Sequence, residues 1–207
     1  MDWRCAIYET HEINYMHTEF EITFSSIDPI EMRYKIQKLW GIQKNPRTLM
    51  RRVVFSHPIN TDSYLRIRDE WDRITTTYKS FKPWVLDIKS VEEIECIVSD
   101  FTNMRDIYLA MWLRQKAYQE TYREVWKIWD EIEFMLDEWP GISPFIEIEW
   151  WSEDIVRKYT ELLGFDYAEW LFGAVDQIYE KELGIPCKIL NENTPLITFD
   201  NPPKKYV

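Results

Sequence analysis

The sequence predicts an α+β fold in which an antiparallel sheet curls around a charged interior and carries its helices on the outside. Three observations point to it. Side chains alternate across a strand with period two, so in Glu19-Phe20-Glu21-Ile22 the carboxylates share one face while Phe20, Ile22 and Phe24 share the other. The same pattern returns at Leu65-Arg66-Ile67-Arg68, at Thr77-Tyr78-Lys79 and at Phe145-Ile146-Glu147-Ile148-Glu149. A single strand of this kind is an ordinary solvated sheet edge, but four that carry both signs of charge call for an enclosed charged face. The third observation is a change to helical periodicity beyond Ser152.

In chain order, residues 1–17 read as a polar lead-in, and the first charged-face strand runs from about Thr18 to Phe24. Asp28-Pro29 opens a helix, with Asp as cap and Pro at the first helical position, and Gly41 ends it. Strands follow at Arg47 to Ser56, Ser63 to Glu70, Arg73 to Phe81 and Val91 to Val98, the fourth supported by the β-branched run Ile74-Thr75-Thr76-Thr77. A helix capped near Ser99 or Asp100 extends through Leu113. Gln115 to Lys127 and Glu131 to Asp137 are the sixth and seventh strands, and the turn Trp139-Pro140-Gly141 leads into an eighth that ends near Trp150. Ser152 caps the next helix, acidic Glu153 and Asp154 favour its first turn, and Gly164 terminates it. One further helix is expected from Asp166, with Trp170, Leu171, Val175, Ile178 and Tyr179 as its apolar stripe. The resulting organisation is a lead-in over 1–17, one domain over 18–184 and a tail rich in Pro and Asn over 185–207.

Composition narrows the function. With 207 residues, 45% hydrophobic and 29% charged, the chain is long enough to bury a core and is not disordered. A net charge of -11 argues against a general nucleic-acid or anionic-membrane surface. No apolar run reaches the roughly 20 residues that span a bilayer, and the start lacks a signal-peptide layout, so a cytoplasmic location is expected. Cys5, Cys96 and Cys187 are odd in number and far apart, which reads as free thiols. Five glycines leave no phosphate-binding loop and no dinucleotide fingerprint.

Buried charges are costly unless they are paired or bound to a ligand, so an interior with several Glu and several Arg or Lys is not explained by stability. A polyphosphate fits it. Guanidinium and ammonium groups hold phosphate oxygens, while hard carboxylate oxygens hold Mg²⁺ or Mn²⁺.

The ordered set Glu19-x-Glu21, Tyr64-Leu65-Arg66-Ile67-Arg68, Thr76-Thr77-Tyr78-Lys79, Tyr122-Arg123-Glu124-Val125-Trp126, Leu136-Asp137 and Phe145-Ile146-Glu147-Ile148-Glu149 closely resembles the CYTH domain. These are the triphosphate tunnel metalloenzymes, which include class IV adenylyl cyclases and thiamine and inorganic triphosphatases. Over about residues 18–182 the resemblance implies a closed eight-stranded antiparallel tunnel, a barrel with helices packed outside. It implies Glu19, Glu21, Asp137, Glu147 and Glu149 as metal-binding acids for Mg²⁺ or Mn²⁺, with Glu93 as an additional acid. It also implies Arg66, Arg68, Lys79 and Arg123 as the triphosphate grip, with Lys116 a further cation of undetermined facing, and Glu19, Glu21, Lys79 and Glu147 as catalytic residues. The family's opening motif is Glu-x-Glu-x-Lys, and here its last position is Thr23, so one tunnel cation is missing.

Three functions follow from this reading. One is a metal-dependent hydrolase of tripolyphosphate, a nucleoside triphosphate or thiamine triphosphate. Another is an adenylyl cyclase that makes cyclic AMP from ATP, and the third is a nucleotide or polyphosphate binder weakened in catalysis by Thr23. The expected partner is a triphosphate-containing small molecule, with no nucleic acid and no membrane. A homodimer is an open assembly.

Overall fold

The computed structural model describes residues 20–81, 91–171 and 175–206. Glu19 and the lead-in lie outside the described residues. Eight strands form one antiparallel path: β1 (Phe20–Ser25), β2 (Ile42–Ser56), β3 (Ser63–Asp69), β4 (Ile74–Phe81), β5 (Val91–Val98), β6 (Gln115–Ile128), β7 (Ile132–Glu138) and β8 (Phe145–Trp150). Their spatial order is β1-β8-β7-β6-β2-β3-β4-β5, and a two-residue β9 (Leu196–Ile197) pairs in parallel with β6. β7 takes residues 122–128 of β6, so the stretch around Tyr118 and Gln119 is left for β9.

Helices cover the apolar face. α1 (Pro29–Lys38) begins where Asp28 accepts a 2.8 Å hydrogen bond from the Ile30 N–H, and α3 (Glu153–Leu163) ends at Gly164 with φ 88°. Met32 and Ile36 of α1 and Val156, Tyr159 and Leu163 of α3 pack on Ile22, Phe24, Phe134, Leu136, Ile146 and Ile148. α2 (Phe101–Ala110) lays Phe101 and Tyr108 on Val53, Phe55 and Ile67. A third cluster closes one end of the curl. Phe145 alternates with the outward-facing Ile146 and so points inward, where it meets Trp139, Ile178 and Tyr179 of α4 (Asp176–Leu183), Leu190 of α5 (Cys187–Asn193) and Ile197.

Besides α2, which stops at Ala110 where Leu113 was expected, and the short α5 and β9 in the expected tail, two elements depart from the sequence reading. β2 starts at Ile42, before the expected Arg47, and runs through Pro46 because register shifts between Gln43, Asn45 and Thr48 absorb the residue that cannot donate. The single helix expected from Asp166 is broken. Asp166 caps a 3₁₀ turn (Tyr167–Glu169), Trp170 turns extended at φ -64° and ψ 148°, and α4 begins only at Asp176. The Leu171 N–H then goes to the Thr23 carbonyl at 2.9 Å, so its hydrogen bond serves a strand instead of a helix. Trp170 accordingly packs with the α1 and α3 cluster, whereas Ile178 and Tyr179 pack at the opposite site under α4.

That bridge also bears on closure. β1 pairs with β8 along one edge, and Leu171 takes its other edge at Thr23. Among the described residues β1 and β5 are not paired, and the sheet is a strongly curled half-barrel where a closed tunnel was the expectation.

Candidate functional site

Alternation along the strands delivers the charged side chains to one cavity of about 450 Å³. β3 supplies Tyr64, Arg66 and Arg68, β4 supplies Lys79, β5 supplies Glu93 and Glu95, and β6 supplies Arg123. From β1 and β8 come Glu21, Glu147 and Glu149, and β7 adds Glu133. Antiparallel register orders them: Glu149 stands between Glu21 and Glu133, and Lys79 stands between Tyr64 and Glu93. The carboxylates of β1, β7 and β8 therefore make one wall, and the cations of β2 to β4 make another.

Arg123 joins the two walls. Its Nε donates to Asp137 at 2.7 Å, and its terminal nitrogen donates to the second oxygen of Asp137 and to Glu147. Burial opposes its charge, but Asp137 and Glu147 more than offset that and hold its pKa well above the usual value. Asp137 is 1% exposed and both of its oxygens accept from Arg123, so it backs the guanidinium from behind. Burial, ahead of the opposing Arg123, lifts its carboxyl to about 6.

Lys79 pairs with Glu93 at 2.7 Å, and Arg66 lies 3.6 Å from both Glu93 and Glu95. Burial works against the Lys79 charge, and Tyr64, Glu93 and Glu21 reverse it and raise the pKa. Burial likewise opposes the Glu93 carboxylate, but Lys79 and Arg66 hold it below its ordinary value. Arg68 is ion-paired to Glu70, which Arg73 holds from its other side at 2.7 Å. The Arg66 Nε is a buried donor with no partner among the described residues, the kind of orphan that a ligand acceptor satisfies.

Carboxylates crowd at the other wall. Burial, then the field of Glu147, pushes the Glu21 carboxyl up to about 8, with Lys79 pulling the other way and Glu149 adding to the rise. Three oxygen-donor groups that resist sharing negative charge suit a hard divalent cation. Among the described residues no three acids already converge at metal-binding distance, and Glu19 lies outside them. Thr23 is 4% exposed and sits opposite Glu147 in the register. Lys116 is not among the residues that line the cavity.

The sequence reading missed Arg52, Glu70 and Glu95, all of which line the cavity. Arg52 faces Arg68 across β2 and β3, and its signal was weak because its same-face neighbours Met50 and Val54 are apolar.

No family model matches the chain. A Methanocaldococcus jannaschii protein is 35% identical over 98 residues, 47% of this chain; the chain spans 55% of that protein's own length. A solved structure from Vibrio parahaemolyticus superposes with a TM-score of 0.65 at 10% identity, over 79% of this chain and 98% of that one. Both carry the name "putative adenylate cyclase". A protein of Pyrococcus horikoshii shares the fold at a TM-score of 0.64 and 19% identity, over 77% of this chain and 98% of that chain. The chain is thus similar to a protein named a putative adenylate cyclase over about half its length, and it shares its fold with these solved structures over about four-fifths of it.

Proposed function

We propose that the chain is a metal-dependent hydrolase of a triphosphate-bearing small molecule. The observation that carries the reading is the cavity itself, in which guanidinium and ammonium groups face a wall of carboxylates, with the Arg66 Nε buried and without a partner among the described residues. Arg66, Arg68, Lys79 and Arg123 would grip the phosphate oxygens, because charge-assisted hydrogen bonds to oxyanions are the strong ones. Glu21, Glu147 and Glu149, preceded by Glu19, would hold Mg²⁺ or Mn²⁺, and Asp137 would join them only by releasing Arg123. A bound divalent ion supplies charge neutralisation at the transferred phosphoryl group.

The protein's own part is positioning. Arg123, fixed by Asp137, and Lys79, kept protonated by its acidic neighbours, stand where negative charge accumulates as water attacks the terminal phosphorus and the bridging P–O bond breaks. β1 and β5, although unpaired among the described residues, present Glu21 and Glu93 to the same cavity, and this supports a tunnel-like passage between the walls.

A second reading is an adenylyl cyclase, in which the ribose 3′-hydroxyl attacks the α-phosphorus and pyrophosphate leaves. It is favoured by the names of the Methanocaldococcus and Vibrio proteins and by the apolar stretch of cavity wall at Met50, Val125 and Met135, which offers a base a surface. Product analysis separates the readings. Purified protein with Mg²⁺ or Mn²⁺ is offered tripolyphosphate and ATP in separate reactions. Phosphate release that stops with chelator supports the hydrolase, and cyclic AMP with pyrophosphate moves the assignment to the cyclase. No product, with binding retained, leaves a polyphosphate-binding module and points to Thr23.

A further inference from the structure

We infer that Arg52 is a further anion-binding residue, one that holds a phosphoryl group of a linear polyphosphate between Arg123 and Arg66; this rests on the triphosphate reading above. Arg52 lines the cavity from β2, directly opposite Arg68. Arg66, Arg68, Lys79 and Arg123 each have a carboxylate partner. Arg52 has none among the described residues: its Nε donates to the neutral Gln119 at 2.7 Å, and its guanidinium lies 4.3 Å over the Trp139 ring.

Like charges that face each other across strands repel, and a buried unpaired charge is costly. Burial first, and then the neighbouring Arg66, pull its pKa down to about 9. Gln119 and Trp139 fix the side chain in orientation without neutralising it, so the compensating charge must come from a ligand. Trp139 and Val175 both line the cavity and both belong to the cluster under α4 and α5, so Arg52 stands where that cluster bounds the cavity. In the register Arg52 falls between Arg123, which pairs with Thr48, and Arg66, which pairs with Val54, so a tripolyphosphate held by both would pass it.

The test compares wild type with Arg52→Gln, Arg52→Lys and the cavity-remote Arg51→Gln, by titration with tripolyphosphate and by thermal melts without ligand. The expected result is at least a tenfold loss of tripolyphosphate affinity in Arg52→Gln. Arg51→Gln should lose less than twofold, Arg52→Lys should recover part of the loss, and the ligand-free melting temperature of Arg52→Gln should be unchanged or higher. Equal losses in Arg52→Gln and Arg51→Gln, unaltered binding in Arg52→Gln, or a lowered ligand-free melting temperature would overturn the assignment. If wild type itself fails to bind tripolyphosphate, the triphosphate reading falls and this assignment falls with it.

A different observation carries a second inference. Trp40, Trp71, Trp112 and Trp129 have φ of 66, 78, 63 and 48° and are 81, 83, 93 and 77% exposed. Trp40 and Trp112 follow the C-caps of α1 and α2, while Trp71 and Trp129 lie in the β3–β4 and β6–β7 connections. These left-handed turn positions are where glycine is favoured and a bulky side chain is strained. The chain has 5 Gly and 11 Trp, far from ordinary usage. The structure assigns glycine to these four positions in the protein as its source makes it, as in genetic codes that read the UGA triplet as glycine where others read tryptophan. Peptide mass spectrometry of the protein from its source should show glycine at all four positions, and tryptophan there would overturn the assignment.

Discussion

At the residue scale, the chemistry of the cavity is set by which charges are compensated and which are not. Glu21 is the clearest case on the acidic wall, since burial and the Glu147 field raise its carboxyl from 4.5 to about 8. Between those values the folded chain holds a proton that the unfolded chain has lost. The stabilisation is therefore present below about pH 4.5 and is lost as the pH rises through about 8. A divalent cation bound there must displace that proton. Calorimetry of Mg²⁺ or Mn²⁺ binding at pH 7 should accordingly show heats that change with the ionisation enthalpy of the buffer, and Glu21→Gln should remove the dependence. Heats that do not vary with buffer would contradict this. Much of the cavity was legible at this scale because Arg66, Arg68 and Lys79, like Glu147 and Glu149, alternate with apolar residues in short strands. Arg52 was not. It follows Arg51 directly, so the pair shows no alternation, and its role emerges only from the Gln119 and Trp139 contacts that the fold creates.

At the element scale, the strands are held to their helices by apolar packing and by one buried polar network on the outer face. Glu124 of β6, 2% exposed, accepts from Arg33 of α1 at 3.0 and 2.8 Å, from Gln43 of β2 at 2.9 Å and from the Trp126 indole at 2.6 Å. Glu124→Ala leaves those donors unmet beside the core. It should lower stability by about 3 kcal/mol, the low end for a broken buried pair because Arg33 is partly solvated, with tripolyphosphate binding unchanged in chemical denaturation and titration experiments. A loss below about 1 kcal/mol would mean that water replaces the network. Element positions were largely readable, since caps such as Asp28 and Gly164 mark the chain directly. The broken segment after Asp166 was not readable. Its apolar residues have helical spacing, and what stops the helix is the long-range hydrogen bond from Leu171 to Thr23.

At the scale of the whole molecule, eight strands could be counted from the sequence, but their order could not, because β2 sits between β3 and β6 and β1 beside β8. Nor could the seam be foreseen. Whether β1 meets β5 depends on what occupies its free edge, and Leu171 does so at Thr23, where the family pattern has its lysine. The same organisation makes the central claim testable, because the acidic wall and the basic wall reach the cavity from different strands of the path, meet there through Arg123, and would both hold a shared ligand. The most direct measurement is the affinity for tripolyphosphate with Mg²⁺ and with chelator, in wild type and in Glu147→Gln. The account predicts that Mg²⁺ tightens binding at least tenfold, about 1.4 kcal/mol, and that this gain disappears in Glu147→Gln while the folded state is retained. An affinity that is the same with Mg²⁺ and with chelator would contradict it.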